Sequence, residues 1–262
     1  MDFIEVNGTA LRYELRGSGA RTVVLLHEMG GALESWDLVA PQLASGSRVL
    51  RYDTRGAGLS EKIRGNLSID TMVADLMALL DALEIGNRVV LVGMAVGGAI
   101  ALAAAARHPE RVAAVVACSP ATGIAADRRA AVLAHVERME REGLRAVLDG
   151  LDNGYPAELR GDWPRYAAFR ARWLGSDPAS FAAIYRMLLR TDLTSELARI
   201  VCPVLLIAGA LDATRPPAAV EAVAASMPRA RYLLLPTGHY AAVQTPEILL
   251  RAVQEFMACS AI

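Results

Sequence analysis

"VLVGMAVGGAIALAAAA" (Val90–Ala106) decides the fold of this chain, because it admits two incompatible readings. Extended back to Val89 it is an 18-residue stretch without a charge, close to the length of a membrane span. Gly93 and Gly97 even have the small-residue spacing of packed membrane helices. The other reading is a strand, a tight turn and a helix. A continuous helix would have to absorb Gly93, Gly97 and Gly98, and it would leave neighbouring apolar runs without a partner. A strand ending at Gly93 and a helix starting near Gly97 uses each glycine. The stretch is a turn between sheet and helix, and no membrane partner is expected.

The flanking sequence agrees. "TVVLLH" (Thr22–His27), "RVLRYD" (Arg48–Asp53), "RVVLVG" (Arg88–Gly93), "VAAVVACSP" (Val112–Pro120), "CPVLLIAG" (Cys202–Gly209) and "ARYLLLP" (Ala230–Pro236) are short apolar runs, as expected of strands covered on both faces. "FIEVNGTALRYEL" reads as a hairpin turning at Asn7-Gly8. Helices are expected at Glu34–Leu43, at Ser68–Leu83, near Ala218–Ser226 and after Pro246. In Ser68–Leu83 the apolar residues Ile69, Met72, Val73, Leu76, Leu79, Leu80 and Leu83 recur at helical spacing. Alternating strands and helices imply an α/β fold with a mainly parallel sheet and helices on both faces. The segment from about 121 to 200 differs. It reads as Arg-rich helices (Arg129–Glu142, Leu144–Leu151, Arg165–Trp173, Pro178–Leu189), a helical cap inserted within one domain spanning 1–262.

Composition narrows the function. The chain is 262 residues long, 54% hydrophobic, with net charge −1, enough for one sizeable core and too balanced for an electrostatic nucleic-acid binder. Cys118, Cys202 and Cys259 are far apart and lack metal-ligand spacing. With no apolar run at the start, they suggest a reducing, cytoplasmic setting. No metal, cofactor, P-loop or dinucleotide fingerprint is expected; the expected partner is a small-molecule substrate.

Gly93-Met94-Ala95-Val96-Gly97 has the spacing G-x-Nu-x-G, in which glycines relieve crowding around a strained central residue. "LIAGALDATRPP" then puts Asp212 just after a buried strand, and "LLLPTGHYAAVQTPE" puts His239 after the next. Strand carboxyl ends in such a sheet share one edge, so turn, acid and histidine can converge above it.

With "LLHEMGG" (Leu25–Gly31), "YDTRGAGLS" (Tyr52–Ser60), "VGMAVGG" (Val92–Gly98), "GALD" (Gly209–Asp212) and "GHY" (Gly238–Tyr240), the whole chain resembles the α/β-hydrolase fold family. Its cap, around Trp173, Tyr185 and Asp192, looks like the 3-oxoadipate enol-lactonase branch. The resemblance implies a serine nucleophile at position 95, His239 as general base and Asp212 orienting the imidazole. It also implies an oxyanion hole from the backbone N–H groups of Met29 and Val96. Glu28 departs from the family, which usually has glycine after this histidine. It either points away or shapes the pocket. Substrate contacts are expected from Glu28, Trp173, Tyr185 and Tyr240.

Ala95 is the larger departure. Alanine has no oxygen to acylate, so as a serine hydrolase of a small ester, enol-lactone or related acyl compound the chain is expected to be nearly inactive. It would then be a Ser→Ala form of such an enzyme. Alternatively, the His239–Asp212 dyad works alone as a general base, or the pocket serves as a receptor. His27 is expected to shape the oxyanion loop, Asp53 and Arg55 to brace their turn, and His108 to be structural. His135 reads as lid or solvent-facing. Trp163, Trp173 and Tyr185 read as cap core before pocket wall. The cap arginines read as a solvated face, with one or two placed to bind a substrate carboxylate.

Overall fold

Asn7 and Gly8 both adopt positive φ (48° and 68°), which a two-residue hairpin turn needs to match strand twist. β1 (Asp2–Val6) and β2 (Thr9–Arg16) therefore pair antiparallel. They form one margin of an eight-stranded sheet with β3 (Thr22–Leu26), β4 (Arg48–Tyr52), β5 (Val89–Met94), β6 (Val112–Cys118), β7 (Val204–Gly209) and β8 (Ala230–Leu235). The order is β1-β2-β4-β3-β5-β6-β7-β8, and every pairing from β4 to β8 is parallel. This computed structural model describes residues 1–260; the expected domain limit at 262 lies just outside them.

Helices alternate with the strands: α1 (Ala40–Ala44), α2 (Ile69–Ala82), α3 (Val96–Arg107), then α4 (Arg129–Glu142), α5 (Asp149–Gly154), α6 (Trp163–Leu174), α7 (Pro178–Arg190) and α8 (Thr194–Leu197) between β6 and β7. α9 (Pro217–Ala225), α10 (Ala241–Gln244) and α11 (Pro246–Cys259) complete the chain. Period-two alternation sorts the strand side chains. Val24, Leu26, Leu91, Ala117 and Leu206 face α2 and α3 in one core. Val23, Leu25, Val90, Val92, Val116 and Ile207 face Trp36, Leu249, Val253 and Phe256 in the other. Two covered faces explain why these strands read as unbroken apolar runs. A third core, of Val136, Leu151, Tyr155, Phe169, Trp173 and Phe181, lies within the α4–α7 insertion and includes Tyr240 and Val243 from the sheet domain.

Two expected elements and one expected core residue are redrawn. In place of one helix over Glu34–Leu43 there is a 3₁₀ turn at Leu33–Trp36 and the short α1. Pro41 cannot donate to the carbonyl four residues back and its ring crowds it, so the helix restarts there. Leu144–Leu151 likewise splits into a 3₁₀ turn (Leu144–Val147) and α5. Trp163, expected in the cap core, is 64% exposed at the first position of α6, its ring leaning on Tyr166. No helix among the described residues is long and apolar enough to cross a membrane.

Candidate active site

β5 and α3 meet at Ala95, whose φ of 49° and ψ of −112° lie in a region costly for any residue with a Cβ. The turn is held from both sides. The Ala95 N–H donates to the Cys118 carbonyl at 2.9 Å, and its own carbonyl accepts from Ala121 N at 2.9 Å and Ala99 N at 3.1 Å. Close packing leaves no alternative to glycine at two positions. A Cβ on Gly97 would sit 2.3 Å from the Leu26 carbonyl oxygen, and one on Gly93 would sit 2.4 Å from the Gly97 backbone. So α3 presses against the end of β3, and the Ala95 side chain stands at the carboxyl edge of the sheet.

β7 and β8 deliver the other two residues to that edge. His239 Nδ1 lies 2.7 Å from Asp212 Oδ2, and both side chains are buried. Asp212 Oδ1 accepts from the backbone N–H groups of Thr214 (2.9 Å) and Arg215 (2.8 Å). Burial opposes the ionised carboxylate. The His239 ring, the Arg215 N–H and the Ser119 hydroxyl outweigh it and hold Asp212 below its ordinary range. Ser119 was not anticipated in sequence. It follows β6 with φ of 45° and is buried; a Ser-Pro pair after a strand is too common to mark it.

A carboxyl depressed on folding stabilises the fold above its unfolded value, about pH 4, and loses that contribution as pH falls through the lower folded value. The stability gap between this chain and Asp212→Asn is therefore expected to be widest near neutrality and to close below about pH 4. Urea unfolding at several pH values checks this; a gap that stays constant down to pH 3 would contradict it.

The loop after β3 supplies the opposite wall. Thr54 N donates to His27 Nε2 at 3.0 Å, which places the ring proton on Nδ1, and Nδ1 donates to the Glu28 carbonyl at 2.6 Å. His27 thus shapes this loop. Glu28 is fully buried. Its Oε1 accepts from Ser35 Oγ at 2.7 Å, and its Oε2 has no protein partner among the described residues. A Cβ on Gly31 would fall 2.2 Å from Glu28 Oε1, so the carboxyl lies tucked under the turn. The backbone N–H groups of Met29 and Val96 donate to no protein acceptor among the described residues. A cleft of about 370 Å³ beside this loop is bounded by Gly31, Ala32, Arg172 and Ser176; neither Ala95 nor His239 lines it.

The insertion closes over the dyad. The Gly154 carbonyl at the end of α5 accepts from His239 N (2.9 Å) and from Gln244 Nε2 (2.8 Å), tying the insertion to the histidine loop. Tyr240 is buried edge-on to His239, with ring centres 5.1 Å apart, and packs on Phe169. Trp173 is buried against Gly30, where a Cβ would meet its ring at 2.3 Å. Tyr185 is half-buried beside His135, 5.5 Å between ring centres, and burial pushes its phenol up to about 12. Burial pushes the His135 imidazole down, and its Nε2 has no protein partner among the described residues. Asp53, Arg55 and His108 take other work. Asp53 binds Arg12, Arg55 binds Asp75, and His108 ends α3.

The site therefore brings Ala95, Val96, Met29, Asp212 and His239 to one sheet edge, with Tyr240 and the insertion above. Among known proteins, the alpha/beta hydrolase fold family matches residues 21–246. A provisionally named carbamate hydrolase, RutD of Stutzerimonas stutzeri, is 30% identical over 239 residues, covering 88% of this chain and 90% of that protein. The solved enol-lactonase from Burkholderia xenovorans superposes with a TM-score of 0.93 at 29% identity, covering 98% of this chain and all of that one. A shorter match, 40% identical over 110 residues, is to a Pseudomonas putida dihydrolipoyllysine acetyltransferase component; it spans 42% of this chain and only 30% of that protein. The chain is a member of the alpha/beta hydrolase fold family.

Proposed function

We propose that this chain hydrolyses a small, activated acyl compound (an activated ester, an enol-lactone or a related acyl compound), with the His239–Asp212 dyad as general base and water as nucleophile. The observation that carries this reading is an elbow kept whole around an alanine. Ala95 holds the costly φ of 49°, the dyad stands at 2.7 Å, and the Met29 and Val96 N–H groups are free to donate. Asp212 holds the proton of His239 on Nδ1, which leaves Nε2 to accept one. His239 Nε2 takes a proton from water, and the hydroxide oxygen forms its bond to the substrate carbonyl carbon. The carbonyl electron pair moves to oxygen, facing the Met29 and Val96 N–H groups. Collapse of this tetrahedral species breaks the bond to the leaving group, which receives the proton from His239. No covalent enzyme intermediate forms. The likeness to an enol-lactonase and to a provisional carbamate hydrolase supports an acyl substrate.

The second reading is a serine hydrolase whose nucleophile is replaced by alanine, which the same elbow would also suit. Stopped-flow assays of p-nitrophenyl acetate and an enol-lactone with this chain and Ala95→Ser separate the two. The dyad predicts steady turnover by the alanine chain, no burst, and less than a tenfold rate change in the serine variant. Turnover and an acyl burst in Ala95→Ser alone would overturn the dyad and make this a Ser→Ala form. Tight ligand binding with turnover by neither would point to a receptor.

A further inference from the structure

Two phenols near the dyad have no partner. A tyrosine hydroxyl held away from bulk water normally finds one, because leaving it unpaired is costly. Tyr166 does so, donating to Asp152 Oδ1 at 3.3 Å. Among the described residues the hydroxyls of Tyr185 and Tyr240 bond to no protein group, and neither is sealed off as Glu28 Oε2 and His135 Nε2 are. His135, edge-on to Tyr185, is no substitute acceptor, since its Nε2 is itself unpartnered. Tyr240 is 5% exposed, and the hydroxyl of the half-buried Tyr185 lies deep in the protein. Hydroxyls that lie deep and are still not sealed border internal space. Tyr52 and Tyr155 also lack a partner, but their charged neighbours, Asp75 for one and Arg165 for the other, place them elsewhere.

The space adjoins the dyad. Tyr240 follows His239 and stands edge-on to it, and its ring packs on Phe169 with centres 4.7 Å apart. A Cβ on Gly154 would fall 2.9 Å from Tyr240 Cζ, the atom that carries the hydroxyl, so α5 fixes that end of the ring. Tyr185 joins from α7, its ring 5.9 Å from Phe181 in the same aromatic core. Burial pushes the Tyr240 phenol well above its ordinary range, and the Tyr185 phenol is its strongest electrostatic neighbour, ahead of Glu28, Asp212 and Asp152. Both phenols therefore remain O–H donors at neutral pH. The charges around them are mainly negative: Glu28, Asp212 and Asp152 act on Tyr240 and Asp149 on Tyr185, against Arg128 alone. A carboxylate entering there meets like charge, whereas an uncharged oxygen meets two donors.

We propose that the Tyr185 and Tyr240 hydroxyls together hold an uncharged oxygen of the substrate, a few bonds from the carbonyl that reacts at the dyad. The substrate class is then a short acyl compound with a keto, hydroxyl or amide oxygen in its acyl chain. A site with two donors and no cation discriminates by hydrogen bonding, and it rejects an analogue that leaves those donors unpaired. The position of the reacting carbonyl rests on the function proposed above; the phenol pair does not.

Calorimetric titration with 4-oxopentanamide, 4-methylpentanamide and succinamate tests the pair without catalysis. The three share one shape and differ at the far end, in a keto oxygen, a methyl group and a carboxylate. This chain is expected to bind the keto amide about tenfold or more tightly than either of the others, the net worth of two hydrogen bonds. Tyr185→Phe and Tyr240→Phe each remove one oxygen and should cut the preference over the methyl compound by about threefold or more. Thermal melting checks that both variants are folded. Equal affinity for the keto and methyl amides, or an unchanged preference in the folded variants, would overturn the pair. So would succinamate binding as tightly as the keto amide, or no binding of the keto amide at millimolar concentration. Oxygen-dependent binding with no turnover of any ester would leave the pair standing and sink the dyad hydrolase. Where turnover is measurable, p-nitrophenyl 4-oxopentanoate should exceed p-nitrophenyl 4-methylpentanoate in kcat/KM. Tyr185→Phe should cut that ratio by about threefold or more; an unchanged ratio counts against the proposal.

Discussion

His239→Ala is expected to lower kcat/KM for an activated ester or enol-lactone by about 10²–10⁴-fold, the usual contribution of a positioned general base. The ring is the group at the elbow placed to take a proton from water, because Asp212 is occupied by His239 and two backbone N–H groups. Asp212→Asn should approach the same loss by a different route. An amide at 2.7 Å no longer fixes the imidazole proton on Nδ1, and the productive tautomer is lost. The two substitutions should not add, since both remove one device. Rates of the single and double variants, measured on one ester, check this. Full activity in His239→Ala would remove the dyad from the mechanism. A further loss when His239→Ala is combined with Ala95→Ser is not expected, because a serine without its base is a poor nucleophile.

Much of this site is legible in the sequence, and the reasons are local. The elbow announces itself because Gly93 and Gly97 answer a backbone requirement: a Cβ at either would strike main-chain atoms. Asp212 and His239 are marked by their place just after buried strands, where a parallel sheet gathers its chemistry on one edge. What stayed hidden depends on contacts distant in sequence. Ser119 becomes visible only when β6 and β7 lie side by side and its hydroxyl meets Asp212. The Gly154 carbonyl is a backbone group, and no residue type advertises that it will bind His239 N. The single helix expected over Glu34–Leu43 divides for a plainer reason, since Pro41 can sit in the first turn of a helix and not within one.

Asp53→Ala is expected to be the most destabilising single change near the site, at about 3–5 kcal/mol, because it strands a buried guanidinium. Asp53 is fully buried and saturated. Its Oδ2 accepts from Arg12 Nε (2.7 Å) and Leu59 N (2.8 Å), its Oδ1 from the second Arg12 nitrogen (3.0 Å) and Leu33 N (2.8 Å). Alanine would leave two buried backbone donors unpaired as well as Arg12, whose remaining carboxylate partner, Glu34, is partly exposed. Against a total stability of roughly 5–15 kcal/mol, the variant would melt about 10 °C lower, at some 2–4 °C per kcal/mol for a chain of this size. Arg12→Met with Asp53→Leu should recover much of the loss, because it removes the buried charges together. A second substitution, Asp53→Asn, separates two roles for this aspartate. As the acid of the catalytic pair it would lower activity in Asp53→Asn while leaving stability near that of the parent. As the brace of the loop that carries Thr54 and His27, it should lower the melting temperature first. Activity should fall only as far as His27 and the Met29 N–H are displaced. Calorimetric melting and ester kinetics on the same preparation distinguish these, and a loss below about 1 kcal/mol in Asp53→Ala would refute the buried-brace account.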